Sequence, residues 1–362
     1  MLSFATRTWD GWDYIPHAWP VWIDAEDGVL LVGEPADPAA VDANGDGLTP
    51  GRPIAVARVA MTAPGEAWLE GIRVDPRVRG MNVATDLQVA ELHVAAKLGA
   101  NVVRYATGQH NEGSHRLGAR HGFSVLASFR TWLWSENGDD DEAEDEEDDA
   151  SAFDADARAE ATEKRRRLLA DLASAGLVAS PDSTAGLWGR LAEDDTFERG
   201  RGLYEYRSWA LQVLTPERFT HHVAQGEVVI SRQHGGDDRW ALAIIPMEAL
   251  PAEDVSLHLG LLVGDGQAAT ALAAHVRGLA GESIRFRLPE SDPPGVATTS
   301  DSLHAAGFRP REWLLDILGR PLDASHPPPH PDAQSVLVDA DAEAGQSTTT
   351  STRIGTARST AS

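Results

Sequence analysis

The run of acidic residues from Glu136 to Asp148, ENGDDDEAEDEED, limits the possible folds of this chain more than any other feature. It has no apolar period, and repulsion among its carboxylates keeps such a segment extended and hydrated. It cannot belong to a core, so it divides a chain whose 362 residues suffice for two domains. The sequence therefore predicts a domain over 1–135, an acidic disordered linker over 136–153, a second domain over 154–320 and a low-complexity, disordered tail over 321–362.

Composition restricts the classes of function. The formal net charge is −25, and Lys97 and Lys164 are the only lysines. Nucleic-acid binding by a broad basic face requires clustered cations, so we expect no nucleic-acid partner. No apolar run reaches the roughly 18 residues of a membrane span and no secretion signal opens the sequence, so we expect a cytoplasmic protein without a membrane partner. The acidic, lysine-poor composition resembles that of halophilic proteins from salt-adapted archaea.

The apolar pattern of the first domain alternates between strand and helix periods. A helix is predicted over Val83–Leu98, and strands are predicted at Gly28–Gly33, Ile54–Met61, Ala67–Val74 and Asn101–Thr107. The order of three strands, a loop, a helix, a strand, a helix and a strand indicates an α/β fold with a mixed sheet.

The second domain repeats the later half of this order. Val255–Val263 is predicted as a strand, Gln267–Leu279 as a helix and Ser283–Leu288 as a strand. The segment SLHAAGF, which ends at Phe308, is also similar to SHRLGARHGF, which ends at Phe123. We interpret the second domain as a degenerate duplication of the first.

The segment from Ile72 to Phe123 carries the most specific motif. A strand ends in V-x-P, an R-x-x-x-x-A loop opens a helix, a strand and an asparagine follow, and a short helix ends in G-F; these places are held by Val74, Pro76, Arg79, Ala84, Asn111, Gly122 and Phe123. In this order the segment resembles the acetyl-CoA-binding core of the GNAT superfamily of N-acetyltransferases. The resemblance implies the GNAT acyl-CoA N-acyltransferase fold and, with the repeat, two tandem GNAT-like units.

The loop that opens the helix is the predicted pyrophosphate site. A helix N-terminus presents unpaired N–H groups and partial positive charge, and an arginine adds a charge-assisted bond. Asn82 stands where the family has glycine, and asparagine tolerates positive φ better than other residues with side chains. By resemblance, pantetheine pairs with the neighbouring strand, so the predicted acetyl-CoA-binding residues are Ile72, Arg73, Val74, Arg79, Gly80, Met81, Asn82, Val83, Ala84 and Asn111.

Acyl transfer to an amine needs a base, an oxyanion donor and a proton for the leaving thiolate. Glu70 is the predicted base because its parity on the strand matches Ile72 and Val74; Glu66 and an ordered water are alternatives. A backbone N–H near Arg73 or Val74 is the predicted oxyanion donor. Relatives often carry a tyrosine seven residues after the asparagine, where this chain has Gly118, so His115, Ser114 or water is expected to supply the proton.

Two further expectations complete the hypothesis. Tyr14, Trp19 and Trp22 line an acceptor cleft or else pack in the core. The histidines and carboxylates show no metal-ligand spacing and cysteine is absent, so no metal is predicted. The predicted function is transfer of an acetyl group from acetyl-CoA to an amine of a small molecule or protein; the alternative is a catalytically silent acyl-CoA sensor.

Overall fold

A computed structural model describes most of the chain. The described residues are 4–5, 13–35, 37, 39–134, 155–207, 209–231, 239–247, 257–281, 283–290, 297–323, 336–338 and 349–354. The predicted linker over 136–153 lies outside them, as does most of the segment before residue 13.

The chain forms two compact units. Unit 1 comprises Met1–Tyr105, Asn111–Ser124 and Leu318–Ser362, and unit 2 comprises Ala106–His110 and Val125–Ile317. This division differs from the predicted one, which assigns residues up to 135 to the first domain. The reason lies in strand pairing: Ser124–Trp134 pairs antiparallel with Ile284–Pro289, which lies far along the chain.

Unit 1 is a mixed sheet between helices. Its elements are α1 (Ile15–Asp24), β1 (Gly28–Pro35), β2 (Ala55–Ala63), β3 (Glu66–Val74), α2 (Val83–Lys97), β4 (Val102–Gly108, which enters unit 2 after Tyr105) and α3 (Glu112–Arg120). The strands β1, β2 and β3 pair antiparallel, and β3 pairs parallel with β4. Strands β1 to β4 and helix α2 agree with the sequence prediction to within a few residues, whereas α1 was not predicted as a helix.

The two faces of this sheet differ in chemistry. One face packs apolar side chains of β1 to β4, such as Leu31, Leu69 and Val103, on Leu87 and Leu92 of α2. The other face carries arginines and carboxylates. The apolar face supplies the core that holds α2 in place, because burial of such side chains contributes roughly 1.5–3 kcal/mol each.

Unit 2 contains the remaining described helices and strands, apart from two in the tail. They are β5 (Ser124–Trp134), α4 (Ala155–Ser174), α5 (Thr184–Ala192), α6 (Asp195–Arg199), β6 (Leu203–Arg207), β7 (Ala210–Val213), α7 (Pro216–Ala224), β8 (Val228–Ile230), β9 (Ala241–Ile244), β10 (Leu257–Leu259), β11 (Leu261–Gly264), α8 (Gly266–Ala280), β12 (Ile284–Pro289), α9 (Ala297–Ala305) and β13 (Arg309–Pro321, which enters unit 1 at Leu318). Strands β10, β12, β5 and β13 are neighbours in that order, as are β11, β9 and β8. The segment Val255–Val263, predicted as one strand, forms two.

A sealed ion cluster lies in unit 2. Glu205 on β6 is 1% exposed, binds Arg287 and accepts from Nη2 of Arg285 at 3.2 Å. Burial by itself raises the pKa of Glu205, but the two arginines lower it to about 2. Glu205 also accepts the backbone N–H of Trp209 at 2.9 Å, so it joins the β6–β7 hairpin to β12.

Part of the predicted disordered tail forms strands. Within residues 321–362, Val336–Val338 (β14) pairs antiparallel with Thr349–Ile354 (β15), and β15 pairs parallel with β1. The apolar content of the tail is low, but backbone hydrogen bonds to an open sheet edge need no apolar side chain, and threonine favours extended backbone.

Candidate functional site

The loop before α2 has the backbone shape of an anion site. Gly80 has φ of +79° and Asn82 has φ of +65°, so asparagine adopts the left-handed conformation that the sequence predicts for it. Asn82 is the residue before the first turn of α2, and its side chain makes no capping hydrogen bond there. Val83 is 1% exposed and Met81 packs against the core, which anchors the loop.

Arg79 and its neighbours face outward from this anchor. Arg79, Gly80 and Asn82 are exposed, and Ala84 is half-buried. Open space surrounds the position where a side chain on Gly80 would begin. Among the described residues, Arg79 forms no ion pair. The predicted phosphate-binding residues Arg79–Ala84 are therefore together at one helix N-terminus, with an available cation.

A bulge in β3 reverses the side-chain alternation that the sequence predicts. Gly71 has φ of +73°, and the β2–β3 register gains a residue on β3 between the pairs Arg58↔Glu70 and Val56↔Arg73. Leu69, Ile72 and Val74 consequently belong to the apolar face. The predicted parity of Glu70 with Ile72 and Val74 is wrong, since Glu70 lies on the charged face.

Both candidate bases are engaged by buried arginines. Glu70 binds Arg58, its cross-strand neighbour on β2, and Arg58 also binds Asp27. Glu66 accepts from Nη1 of Arg104 on β4 at 2.5 Å. Arg58 is 1% exposed and Arg104 7%. A base at either position would act from within an ion pair.

Pairing between β3 and β4 is short. The parallel register joins Glu66–Trp68 to Val102–Arg104, and β3 runs on to Val74. Ile72–Val74 therefore lie beyond the part of β3 that pairs with β4. Arg73 donates from Nε to Asp13 at 2.7 Å, and its guanidinium carbon lies 5.2 Å from the centre of the Tyr14 ring. The side chain of Arg73 is thus held by the residues that precede α1, and its backbone pairs with Val56 of β2.

Asn111 and His115 lie in the first half of α3. The Oδ1 of Asn111 accepts the N–H of Ser114 at 3.1 Å, so Asn111 caps the helix. His115 is half-buried one turn further on, where its N–H donates to the carbonyl of Asn111. The structure therefore assigns Asn111 a capping role in addition to the predicted contact with the cofactor.

Tyr105 fills the space beside Gly118, which sequence reasoning missed. A Cβ on Gly118 would lie 2.1 Å from the hydroxyl oxygen of Tyr105. That hydroxyl donates to the carbonyl of Ser114 at 3.1 Å, and burial raises the pKa of Tyr105 to about 12. Gly118 has no side chain because Tyr105 of β4 occupies the space that one would fill. A single sequence gives no signal for such a long-range contact.

Glu91 is a buried acid on α2. It is 1% exposed, and its Oε1 has no hydrogen-bond partner among the described residues. Burial raises the pKa of Glu91 well above its usual range. Burial therefore favours the neutral, protonated form of this carboxyl group.

The aromatic residues of α1 pack rather than line an open cleft. Trp22 is 7% exposed, and a Cβ on Gly71 would lie 2.7 Å from its ring. Tyr14 meets Trp22 edge-on at 6.0 Å, and Arg58 lies 5.5 Å from the centre of the Trp22 ring. Of the two alternatives, core packing is therefore correct for Trp22; Trp19 stays half-buried.

Neither a metal cluster nor a membrane-spanning helix is found in the described part of the chain. No three His, Asp or Glu residues there are grouped to hold a metal ion. No helix there combines the length and apolar character that crossing a membrane requires.

Comparison with known proteins finds a family match in the first third of the chain. Residues 7–123 match the Acetyltransferase (GNAT) family. No curated protein matches the chain in sequence.

Similar solved structures include a candidate acetyltransferase from Thermoplasma acidophilum (12% identity, 88% of this chain and 87% of that one, TM-score 0.41). Another is a GCN5-related N-acetyltransferase from Sphaerobacter thermophilus (13% identity, covering 75% of this chain and 78% of that one, TM-score 0.41). A GNAT family acetyltransferase from Elizabethkingia anophelis, with acetyl-CoA bound, covers 21% of this chain and 50% of its own (14% identity, TM-score 0.21).

Proposed function

We propose that this chain, whose residues 7–123 match the GNAT acetyltransferases, transfers an acetyl group from acetyl-CoA to an amine. The observation that carries the proposal is the loop Arg79–Ala84 inside the matched region. It combines an exposed arginine, a left-handed residue and a helix N-terminus anchored by buried Val83. These are the features that a pyrophosphate needs.

Other residues are proposed to carry out the separate steps of acyl transfer. The backbone of Ile72, Arg73 and Val74, beyond the part of β3 that pairs with β4, is proposed to bind pantetheine and to donate to the oxyanion. Glu70 is the proposed base for the amine, because an aliphatic amine with a pKa near about 10.4 is protonated at neutral pH. The amine nitrogen then bonds to the acetyl carbon as the carbon–sulfur bond breaks. His115 is the proposed proton donor to the thiolate, with Asn111 capping its helix.

Release of free thiol from acetyl-CoA tests the function. The protein is assayed in multimolar salt against a panel of small amines and an amine-bearing peptide. Glu70→Gln should lower kcat by about 10²–10⁴-fold and leave CoA affinity nearly unchanged, since the substitution keeps shape and removes the proton acceptor. Higher pH should partly restore its rate, because more of the acceptor is then neutral.

Glu66→Gln is the matched control, since Glu66 lies on the same strand and also binds a buried arginine. A loss in Glu66→Gln alone would move the base to Glu66. If no amine in the panel is acetylated and CoA still binds, the protein is a silent acyl-CoA sensor, for which the glycine at position 118 would be one reason.

A further inference from the structure

We propose that the tail hairpin, formed by β14 and β15, covers the edge of β1 and thereby prevents a second copy of this chain from pairing there. The sequence predicts disorder in this part of the tail, whereas the structure pairs it with unit 1. The inference goes beyond the proposed function, because it concerns self-association and holds whatever reaction the protein catalyses.

The composition of β1 makes an open edge hazardous. Its first six residues, Gly28–Gly33, have the sequence GVLLVG, with no charged residue and no proline. Val29, Leu30, Leu31 and Val32 are each 8% exposed or less. Short apolar segments of this kind pair with other chains when their backbone N–H and C=O groups are accessible. An open β1 would therefore be a site of self-association.

β1 also lacks the irregularities that protect other edge strands. Its register with β2 runs without a shift from the pair Gly28↔Ala60 to the pair Gly33↔Ala55. A bulge would twist the edge away from a partner, and a lysine or proline within the strand would oppose pairing. Glu34 and Pro35 come only at the end of β1. The protection of this edge must therefore come from another segment.

The tail hairpin supplies that segment. β15 pairs parallel with β1 from Leu30↔Thr349 to Pro35↔Ile354, and β14 pairs antiparallel with β15. Both strands of the hairpin also lie close to α2. In the sheet of the described residues, β14 is then the outermost strand on this side. An apolar edge strand of 8 residues is thus covered, and the new outermost strand has 3. A very short edge strand is one of the ways in which proteins prevent edge pairing.

The short connection to β13 explains how a tail of low apolar content can hold this place. β13 ends at Pro321 and β14 begins at Val336. A segment attached so closely to its own binding site has an effective concentration on the order of millimolar there. A second copy at micromolar concentration therefore competes poorly for β1, even if its own β1 would pair more strongly than the tail.

The test uses the full chain with one substitution in β15. Thr352 is the register partner of Gly33 in β1 and of Val338 in β14, so Thr352→Pro interrupts the hairpin where it is paired on both sides. Thr356→Pro is the matched control, because this residue follows the end of β15. All samples are kept in multimolar salt, where a Debye length of about 3 Å or less screens the repulsion between copies.

Light scattering after size exclusion measures the mass of each protein as a function of concentration. The full chain and Thr356→Pro should behave alike. Thr352→Pro should associate further, with a dissociation constant lower by about tenfold or more, because the tethered competitor for β1 is lost.

Hydrogen exchange locates the new contact. In dilute Thr352→Pro, the backbone N–H groups of β1 that face the open edge should lose protection, while β2 and β3 keep theirs. In concentrated solution the protection of β1 should return as the copies associate. The full chain should show protection of β1 that does not depend on concentration.

Three results would overturn the proposal. Equal protection of β1 in the full chain and in dilute Thr352→Pro would show that the hairpin does not cover this edge. No further association of Thr352→Pro would show that the open edge is not an interface, and association that leaves β1 unprotected would place the interface elsewhere. If Thr352→Pro does not fold, so that β2 and β3 also lose protection, Thr352→Gly decides, since glycine weakens β15 but keeps the backbone N–H. The same changes should then appear at higher protein concentration, and their absence contradicts the proposal.

Discussion

Buried arginines bind carboxylates in both units, but the two sets of pairs differ in their access to solvent. In unit 1, Arg58 is 1% exposed while its partners Glu70 and Asp27 are 15% and 43% exposed. In unit 2, Glu205 is 1% exposed and the side chains of Arg285 and Arg287 are 10% and 3% exposed. A substrate can approach the first set, whereas the second set is enclosed. The comparison separates carboxylates that reach solvent from one that is enclosed and holds a hairpin in place.

The largest effect should follow from opening the enclosed cluster. Glu205→Gln removes the carboxylate between two buried guanidinium groups, and breaking a buried ion pair costs about 3–5 kcal/mol of unfolding free energy. Denaturant titration measures the loss. Glu163→Gln, an exposed carboxylate on α4 that pairs with Arg166 and Arg167, is the control and should change stability far less. A loss below about 1 kcal/mol in Glu205→Gln would remove the distinction between the units.

The dependence of stability on acid pH should report on the same ion cluster around Glu205. The pKa of Glu205 is about 2 in the folded protein and about 4.3 in an unfolded chain. A lowered folded pKa contributes stability that is present above about pH 4.3 and is lost as pH falls through about 2. Glu205→Gln should lack this part of the acid dependence, and unchanged acid sensitivity in the variant would assign the effect to other groups.

A ligand should stabilise the protein through unit 1. CoA at about 100 times its dissociation constant should add about 2.7 kcal/mol. Arg79→Glu should abolish this gain, since a carboxylate replaces the cation at the phosphate loop. Lys97→Glu alters charge at the opposite end of α2 and should keep the gain. The measurement is the thermal shift of each variant with and without CoA. Full stabilisation of Arg79→Glu by CoA would show that the phosphate binds elsewhere.

The apolar face of unit 1 should be less sensitive than the enclosed cluster of unit 2. Gly118→Ala places a methyl group 2.1 Å from the Tyr105 hydroxyl oxygen, and overpacking costs about 1–3 kcal/mol. Gly113→Ala on the same helix meets its nearest atom at an ordinary 3.6 Å and should not destabilise. Adding Tyr105→Phe should recover part of the loss in Gly118→Ala; no recovery would mean that the hydroxyl is not the obstacle.

The smallest effect on stability is expected at Asp27, the more exposed carboxylate partner of Arg58. Asp27→Asn removes a carboxylate that is 43% exposed, while Arg58 keeps Glu70. Solvent screens such a charge, so the loss of unfolding free energy should be about 0.2–1 kcal/mol. A loss as large as that of Glu205→Gln would make the pairs of the two units equivalent.

The apolar pattern of the sequence was sufficient for the central elements of unit 1. Strands β1 to β4 are apolar segments bounded by turn residues, and the loop at Arg79 marks the start of α2. The left-handed Asn82 could also be anticipated, because few other residues with side chains adopt that conformation readily.

Long-range packing determined what the sequence did not reveal. Gly71 looks like any strand glycine, yet its bulge moves Glu70 to the other face of the sheet. Val255–Val263 resembles one strand in sequence. However, Gly260 lies so close to β6 that a Cβ would be 2.3 Å from the carbonyl oxygen of Glu205, and β10 and β11 join different sheets. The partner of β5 lies some 150 residues away in β12, beyond any local signal.

The raised pKa of Glu91 has a calorimetric consequence. At a pH between the unfolded and the folded pKa of this group, the native protein binds a proton which the unfolded chain releases. The stability linked to this group is complete below the unfolded pKa and declines as pH rises toward the folded one. Heat absorbed on unfolding should therefore include the ionisation heat of the buffer, so the apparent enthalpy should differ between phosphate and an amine buffer at one pH.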